Sequence, residues 1–122
     1  MQTDNQKKGN WGEEKALEYL LQQGYAIRTR NFHTRDGEID IIMSGHYEGH
    51  QALAFVEVKT RQYDDGSAER SVDMRKRAKM LKATREYCRQ KCIDVDDFVI
   101  LFLCMVVCGN EKKHSVHVYD LP

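Results

Sequence analysis

Between Gly37 and Arg61 the chain runs GEIDIIMSGHYEGHQALAFVEVKTR, two apolar runs each broken by charge at one place. Asp40 interrupts the run Ile39 to Ile42, and Glu57 and Lys59 interrupt the run that starts at Phe55. Branched and aromatic side chains at this density pack well on a pleated surface, so both runs are expected to be strands. Residues 44–51, with two glycines and polar neighbours, read as the loop of a hairpin. Alternation then places Glu57 and Lys59 on one face and Val56 and Val58 on the other. A core-forming sheet does not accept such groups freely, because a buried ion is costly unless it is paired or binds a metal.

Two arrangements satisfy that constraint. One is an ion pair at a half-solvated sheet surface. The other is a divalent-cation site with Asp40 and Glu57 as hard oxygen ligands and Lys59 turned toward the attacking water or a phosphate oxygen. Magnesium suits the second, since it takes one or two carboxylates and completes its shell with water and substrate phosphate.

The remaining elements frame this pair of strands. Residues 1–8 are polar and are expected to be a flexible terminus, followed by a single domain over 9–122. From Asn10 to Gln23, Trp11, Ala16, Leu17, Leu20 and Leu21 recur at helical spacing. Asn10 can cap that helix, Glu13 and Glu14 suit its positive end, and Gly24 can stop it. Tyr25 to Phe32 reads as a first strand and Thr34 to Gly37 as a tight turn. Glu38 shares a face with Asp40 and is expected to pair with Arg30 or Lys59 rather than to join a metal site.

Residues 62–69 read as a polar loop without an apolar anchor. A second helix then runs from a Ser71 or Asp73 cap to about Lys91. Its expected inner stripe is Met74, Ala78, Leu81, Thr84 or Arg85, Cys88 and Cys92, with Arg75, Lys79, Lys82 and Arg89 pointing elsewhere. Asp94, Asp96 and Asp97 make a solvated turn before a buried central strand, Phe98 to Cys108, and a hairpin leads into a last strand, His114 to Leu121. The order α-β-β-β-α-β-β indicates an α/β sandwich with a mixed central sheet flanked by helices.

Net charge is zero, but its distribution is uneven. Nine Lys or Arg lie between Arg70 and Lys91 against Asp73 and Glu86, a local +7 that leaves −7 for the rest. A charge run of this kind is either a solvated helix face or, beside an acidic site, the electrostatic footprint of nucleic-acid binding. With nearly half of all the cations in one segment, phosphate contact is expected. Neither a secretory apolar core near the start nor a run long enough to span a bilayer is present, so a cytoplasmic protein without membrane contact is expected. Cys88, Cys92, Cys104 and Cys108 are expected to be buried thiols rather than zinc ligands or disulfides. His114 and His117 fall on opposite strand faces, which argues against joint ligation of a metal.

These blocks, Gly12-Glu13 with Ala16 and Tyr19-Leu20, Gly24-Tyr25, Arg30-Asn31, Gly37-Glu38-Ile39-Asp40 and Phe55 to Arg61, resemble the bacterial YraN-like family across roughly residues 9–108. That family resembles archaeal Holliday junction resolvases and is placed with the PD-(D/E)XK nucleases. The resemblance implies a restriction-endonuclease-like fold and metal-dependent hydrolysis of DNA phosphodiester bonds, at branched or recombination intermediates. It implies magnesium or manganese held by Asp40, Glu57 and the Val58 carbonyl, with Asp40, Glu57, Lys59 and Glu13 catalytic. Lys76 matches a family lysine that approaches the site, and Arg61, Arg75, Lys76, Lys79 and Lys82 would bind phosphates without reading sequence. Junction resolution needs paired cuts, so that substrate implies a homodimer. The alternatives are a non-catalytic DNA-binding or adaptor protein of recombination or repair, and a protein whose acidic remainder binds its own basic helix.

Overall fold

The computed structural model describes residues 2–121; Met1 and Pro122 lie outside the described residues. Its elements are α1 (Asp4–Gln22), β1 (Ala26–His33), β2 (Glu38–Tyr47), β3 (His50–Arg61), a one-turn helix α2 (Ser67–Arg70), α3 (Met74–Gln90), a 3-10 turn (Val95–Asp97), β4 (Val99–Gly109) and β5 (His114–Asp120). The five strands form one sheet in the order β1-β2-β3-β4-β5. Of its four strand pairs only β3 and β4 are parallel. A parallel pair needs a long crossover, and α2 and α3 supply it.

Each sheet face carries its own core. On one face Ala16 and Leu20 of α1 pack over Ile41, Met43, Ala54, Val56 and Met105. On the other, Met80, Ala83 and Tyr87 of α3 pack over Ile39, Ile42, Leu53, Phe55 and Val106. The result is the α/β sandwich expected from the element order, consistent with a restriction-endonuclease-like arrangement. No described helix is long and apolar enough to cross a membrane.

Several local expectations are corrected. Thr3, not Asn10, caps α1: its side chain accepts the Gln6 N–H and the Gln6 side chain accepts the Thr3 N–H, a reciprocal capping box that carries the helix back through residues 4–8. The expected loop 44–51 is almost wholly strand, paired out to Tyr47↔His50. Glu48 and Gly49, at φ 51° and 81°, make the turn alone, and left-handed backbone at both centres matches the twist of the strands. The hairpin tip carries exposed polar side chains, which hid its strand character. The 62–69 segment also ends in a helical turn, anchored by buried Ala68 and followed by buried Val72.

The inner face of α3 is rotated from the expected one. Met80, Ala83, Thr84, Tyr87 and Cys88 are buried, whereas Met74, Ala78, Leu81 and Cys92 are exposed. Both sets are helically spaced, and Tyr87 settles the choice. Its ring sits edge-on to Phe32 and Phe55, at centroid distances of 5.4 and 6.0 Å, and its hydroxyl accepts a hydrogen bond from Arg28 Nε at 3.1 Å. Burying a large side chain of either stripe is worth roughly 1.5–3 kcal/mol, and the edge-on ring contacts of Tyr87 add about 0.5–1.5 kcal/mol each. Cys92 falls outside because α3 has already ended at Lys91. Cys88, Cys104 and Cys108 are buried free thiols, as expected.

Gly12 sets how closely α1 approaches β3. A Cβ there would overlap Thr60 Oγ1. We expect Gly12→Ala to destabilise the fold by roughly 1–3 kcal/mol, the usual range for overpacking. Thr60→Ala should restore most of the loss, and urea midpoints of the two single variants and the double variant measure both.

Candidate active site

The two strands of the β2–β3 hairpin part company beyond Ile41↔Val56, whereas β3 stays paired to β4 as far as Arg61↔Cys108. In the resulting fork Val58 N–H donates to Asp40 Oδ2 at 2.7 Å, so a carboxylate takes the place of a ladder carbonyl. Strict alternation would put Ile39 and Ile41 on the same face. Instead Ile39 belongs to the α3-side core and Ile41 to the α1-side core, so β2 slips by one face at Asp40. That slip lets Asp40 lie between the strands, half-buried, beside Glu57.

Glu57 is only 4% exposed. Its Oε1 takes Lys59 Nζ at 3.3 Å and, from α3, Lys76 Nζ at 3.0 Å. Its Oε2 is buried and has no hydrogen-bond partner. Gly37 allows the α3 approach, since a Cβ there would lie 2.9 Å from the Lys79 carbonyl oxygen. Glu13 sits at the α1 margin of the cluster, 3.7 Å from Arg30.

The electrostatics follow from this crowding. Burial, then the Glu57 charge, push the Asp40 carboxyl up to about 7, against the opposing pull of the Val58 N–H. Burial also raises Glu13, with Arg30 working against it. Burial disfavours the Lys76 ammonium, but the hydrogen bond and charge of Glu57, with Asp40 and Glu38 behind it, outweigh that and raise its pKa. Cys104, opposite Glu57 in register, is pushed to about 11 by burial and then by Glu57, so its thiol stays neutral.

A buried carboxylate oxygen without a partner, beside a second carboxylate that resists ionisation, leaves acceptor capacity that the two ammonium groups on Glu57 Oε1 do not fill. Hard oxygen donors of this kind suit magnesium or manganese. Among the described residues no three His, Cys, Asp or Glu side chains converge as a ready cage. Two carboxylates with the remaining positions left to water and phosphate is the coordination that magnesium tolerates.

The other expected site residues are spread around this fork. Val58 enters through its N–H to Asp40. Arg61 lies half-buried at the end of β3, with Nη1 donating to the Thr60 carbonyl at 2.9 Å. Lys76 is drawn into the site, whereas Arg75, Lys79 and Lys82 are exposed on α3. Lys79 lines a groove with Lys76, Glu38 and Arg35, and Lys82 lines the adjoining groove with Arg35, Arg85 and Arg89. Arg35, at the turn before β2, thus borders both, a placement that its sequence neighbours do not signal. Glu38 pairs with His33, at 3.1 Å, rather than with Arg30 or Lys59. Arg30 is occupied by Glu14 at 2.6 Å and by Glu13, because α1 lies across β1 there.

The loop that follows β3 is tied to β5 by a second cluster. Tyr119 OH donates to Asp64 Oδ2 at 2.5 Å, His117 Nδ1 lies 3.4 Å from the same oxygen, and Ser115 Oγ is 3.0 Å from His117 Nε2. The Tyr119 bond is the main reason that Asp64 titrates low and Tyr119 is pushed to about 12. His114 instead meets Trp11 edge-on at 5.8 Å. Asp64 and β5 are distant in sequence, and nothing in either segment forecasts the meeting.

Residues 12–102, which hold every member of the fork, match the model of the family described as "Uncharacterised protein family UPF0102". A UPF0102 protein of Syntrophomonas wolfei is 45% identical over 84 residues, covering 68% of this chain and 70% of that one. One of Persephonella marina is 35% identical over 115 residues, 93% of this chain and 94% of that one. One of Legionella pneumophila is 38% identical over 110 residues, 88% of each. With a family model over most of its length and relatives aligned nearly end to end, the chain belongs to UPF0102, the YraN-like family.

Proposed function

We propose that the chain is a magnesium- or manganese-dependent nuclease of the PD-(D/E)XK type that hydrolyses DNA phosphodiester bonds, with branched or recombination intermediates as its substrates. The observation that carries this reading is the fork itself: Asp40 and Glu57 converge under Lys59 and Lys76, with one Glu57 oxygen buried and unpartnered. A bound divalent ion would act as Lewis acid on the scissile phosphate and lower the pKa of an attacking water. Asp40 and Glu57 are the residues that would hold it, and Glu13 stands at its margin. Lys59 and Lys76 have ammonium groups within reach of the same carboxylate, so either can turn to stabilise negative charge that grows on the phosphate oxygens. The new phosphorus–oxygen bond forms from water, the ester oxygen leaves, and a proton must reach that oxygen.

Substrate grip comes from α3. Lys76, Lys79 and Lys82 follow at one-turn spacing, with Arg85 and Arg89 beyond them, along two grooves shared with Arg35. At 1.5 Å per residue the stripe is about 20 Å long, enough to track several phosphates of one strand. Contacts of this kind position the backbone and carry no base information, so binding is sequence-independent. A cytoplasmic setting goes with that substrate.

A second reading rests on a specific feature of the same site. Lys59 and Lys76 already give Glu57 its counter-charge without a metal, so the protein can bind DNA as a non-catalytic adaptor. Incubating branched and linear duplexes with and without magnesium or manganese separates the two: cleavage requires the first, and salt-sensitive binding without cleavage selects the second. In either case Lys79→Gln/Lys82→Gln should weaken DNA binding and flatten the log–log salt dependence by about 1 for each phosphate no longer neutralised. An unchanged slope would remove α3 from the interface.

A further inference from the structure

Among the described residues nothing covers the exposed stripe of α3. Met74, Ala78 and Leu81 repeat at i, i+4 and i+7, a spacing that ordinarily turns inward, yet Met74 is 83% exposed and Leu81 39%. They border a groove with Arg77, Phe102 and Leu121, and among the described residues no acidic side chain lines it. The centre of the stripe lies about 130° around the helix axis from that of Lys76, Lys79 and Lys82, at 100° per residue, while Arg85 and Arg89 continue the line of the stripe toward the end of α3. A helix that shows apolar side chains on two separate faces has a second surface to cover.

We propose that this groove docks an acidic amphipathic helix of a partner protein, with its apolar residues seated between Met74, Leu81 and Phe102. Anchors at i, i+4 and i+7 are the pattern by which helices recognise grooves of this shape. Methionine at the open end suits it, because an unbranched thioether repacks around different partners. Charge selects the occupant. The segment from Arg70 to Lys91 carries +7, and Arg77 contributes a guanidinium to the lining. An acidic helix gains from that field, whereas a second copy would set two such segments against each other at a Coulombic cost.

The test uses the full chain and a fluorescein-labelled peptide of about 18 residues, long enough for a stable amphipathic face, with leucines at i, i+4, i+7 and i+11 and mainly glutamate elsewhere. A scrambled peptide of identical composition is the comparison, read by anisotropy across a salt series. The patterned peptide should bind at least about tenfold more tightly than the scrambled one, a gap of about 1.4 kcal/mol. Met74→Lys/Leu81→Lys discriminates further, since it removes the apolar anchors while adding two cations. Docking predicts at least a tenfold loss for that variant, whereas attraction by charge alone predicts tighter binding. Met74 is exposed but Leu81 is partly covered, so the melting curve of the variant is recorded beside that of wild type. The Met74→Lys single variant, which should also lose binding, is read with it. Equal binding of the two peptides, no binding of either, or undiminished binding by the variant would overturn the proposal. So would peptide-free self-association that the variant abolishes, which would assign the groove to a second copy.

Discussion

Glu57→Gln is expected to reduce magnesium-dependent DNA cleavage by about a thousandfold, while leaving the fold and salt-dependent DNA retention largely intact. The substitution keeps the side-chain shape but removes the charge that Lys59 and Lys76 share and the buried Oε2 that has no partner. Loss of several kcal/mol of transition-state stabilisation is the usual consequence of removing a ligand to a catalytic ion, and about 1.4 kcal/mol corresponds to each factor of ten. Single-turnover cleavage with protein in excess would give the number, and calorimetric titration with magnesium or manganese would show whether the ion's site is lost with it. Wild-type cleavage by Glu57→Gln would rule out the fork as the catalytic centre. Loss of DNA retention together with cleavage would point to a misfolded protein instead, which the melting curve would report.

Asp40→Asn should raise the stability of the metal-free protein at neutral and higher pH. In the folded chain the Asp40 carboxyl titrates at about 7, far above the ordinary 3.8, because it is buried beside Glu57. Well below the unfolded value of 3.8, at about pH 3, the group is protonated in both folded and unfolded chains and contributes no difference. As pH rises toward 7, the unfolded chain releases its proton first, and the folded state becomes progressively less stable. Above 7 the penalty is complete and amounts to a few kcal/mol, since each tenfold difference in proton affinity is worth about 1.4 kcal/mol. Asparagine keeps an acceptor for the Val58 N–H and has no charge to bury. In chelator, therefore, Asp40→Asn should melt above wild type at pH 8, with the gap narrowing as pH falls and closing near about pH 3. Magnesium at pH 8 should raise the melting point of wild type more than that of the variant, because a cation stabilises the ionised pair. Parallel melting curves of the two proteins across pH 4–8 would show that Asp40 titrates normally.

Taken together the two substitutions separate what the fork costs from what it does. A site that destabilises its own fold when empty and gains stability with a cation has the profile of a binding site, whereas an ordinary surface ion pair shows little of either.

Much of the site was legible in the chain itself. The apolar runs around Asp40 and Glu57 pointed to strands, and period-two alternation alone set Glu57 and Lys59 on one face. The order of elements determined the sandwich, since a helix between two hydrophobic strands is the standard crossover of a parallel pair. The blocks from Gly12 to Arg61 were enough to place the family. Where local signals were duplicated, however, the sequence was ambiguous. Thr3 and Asn10 are both good caps, and α3 carries two apolar stripes with the same period. Tertiary contact chose between the stripes through the Tyr87 ring against Phe32 and Phe55, and the mutual cap of Thr3 and Gln6 decided where α1 begins. The decisive features of the site are likewise long-range. The slip of β2 at Asp40, the arrival of Lys76 from a different layer and the unpartnered Glu57 oxygen depend on where strands stop pairing and how closely helices settle. Those outcomes are set by packing between residues far apart in sequence, and no local pattern records them.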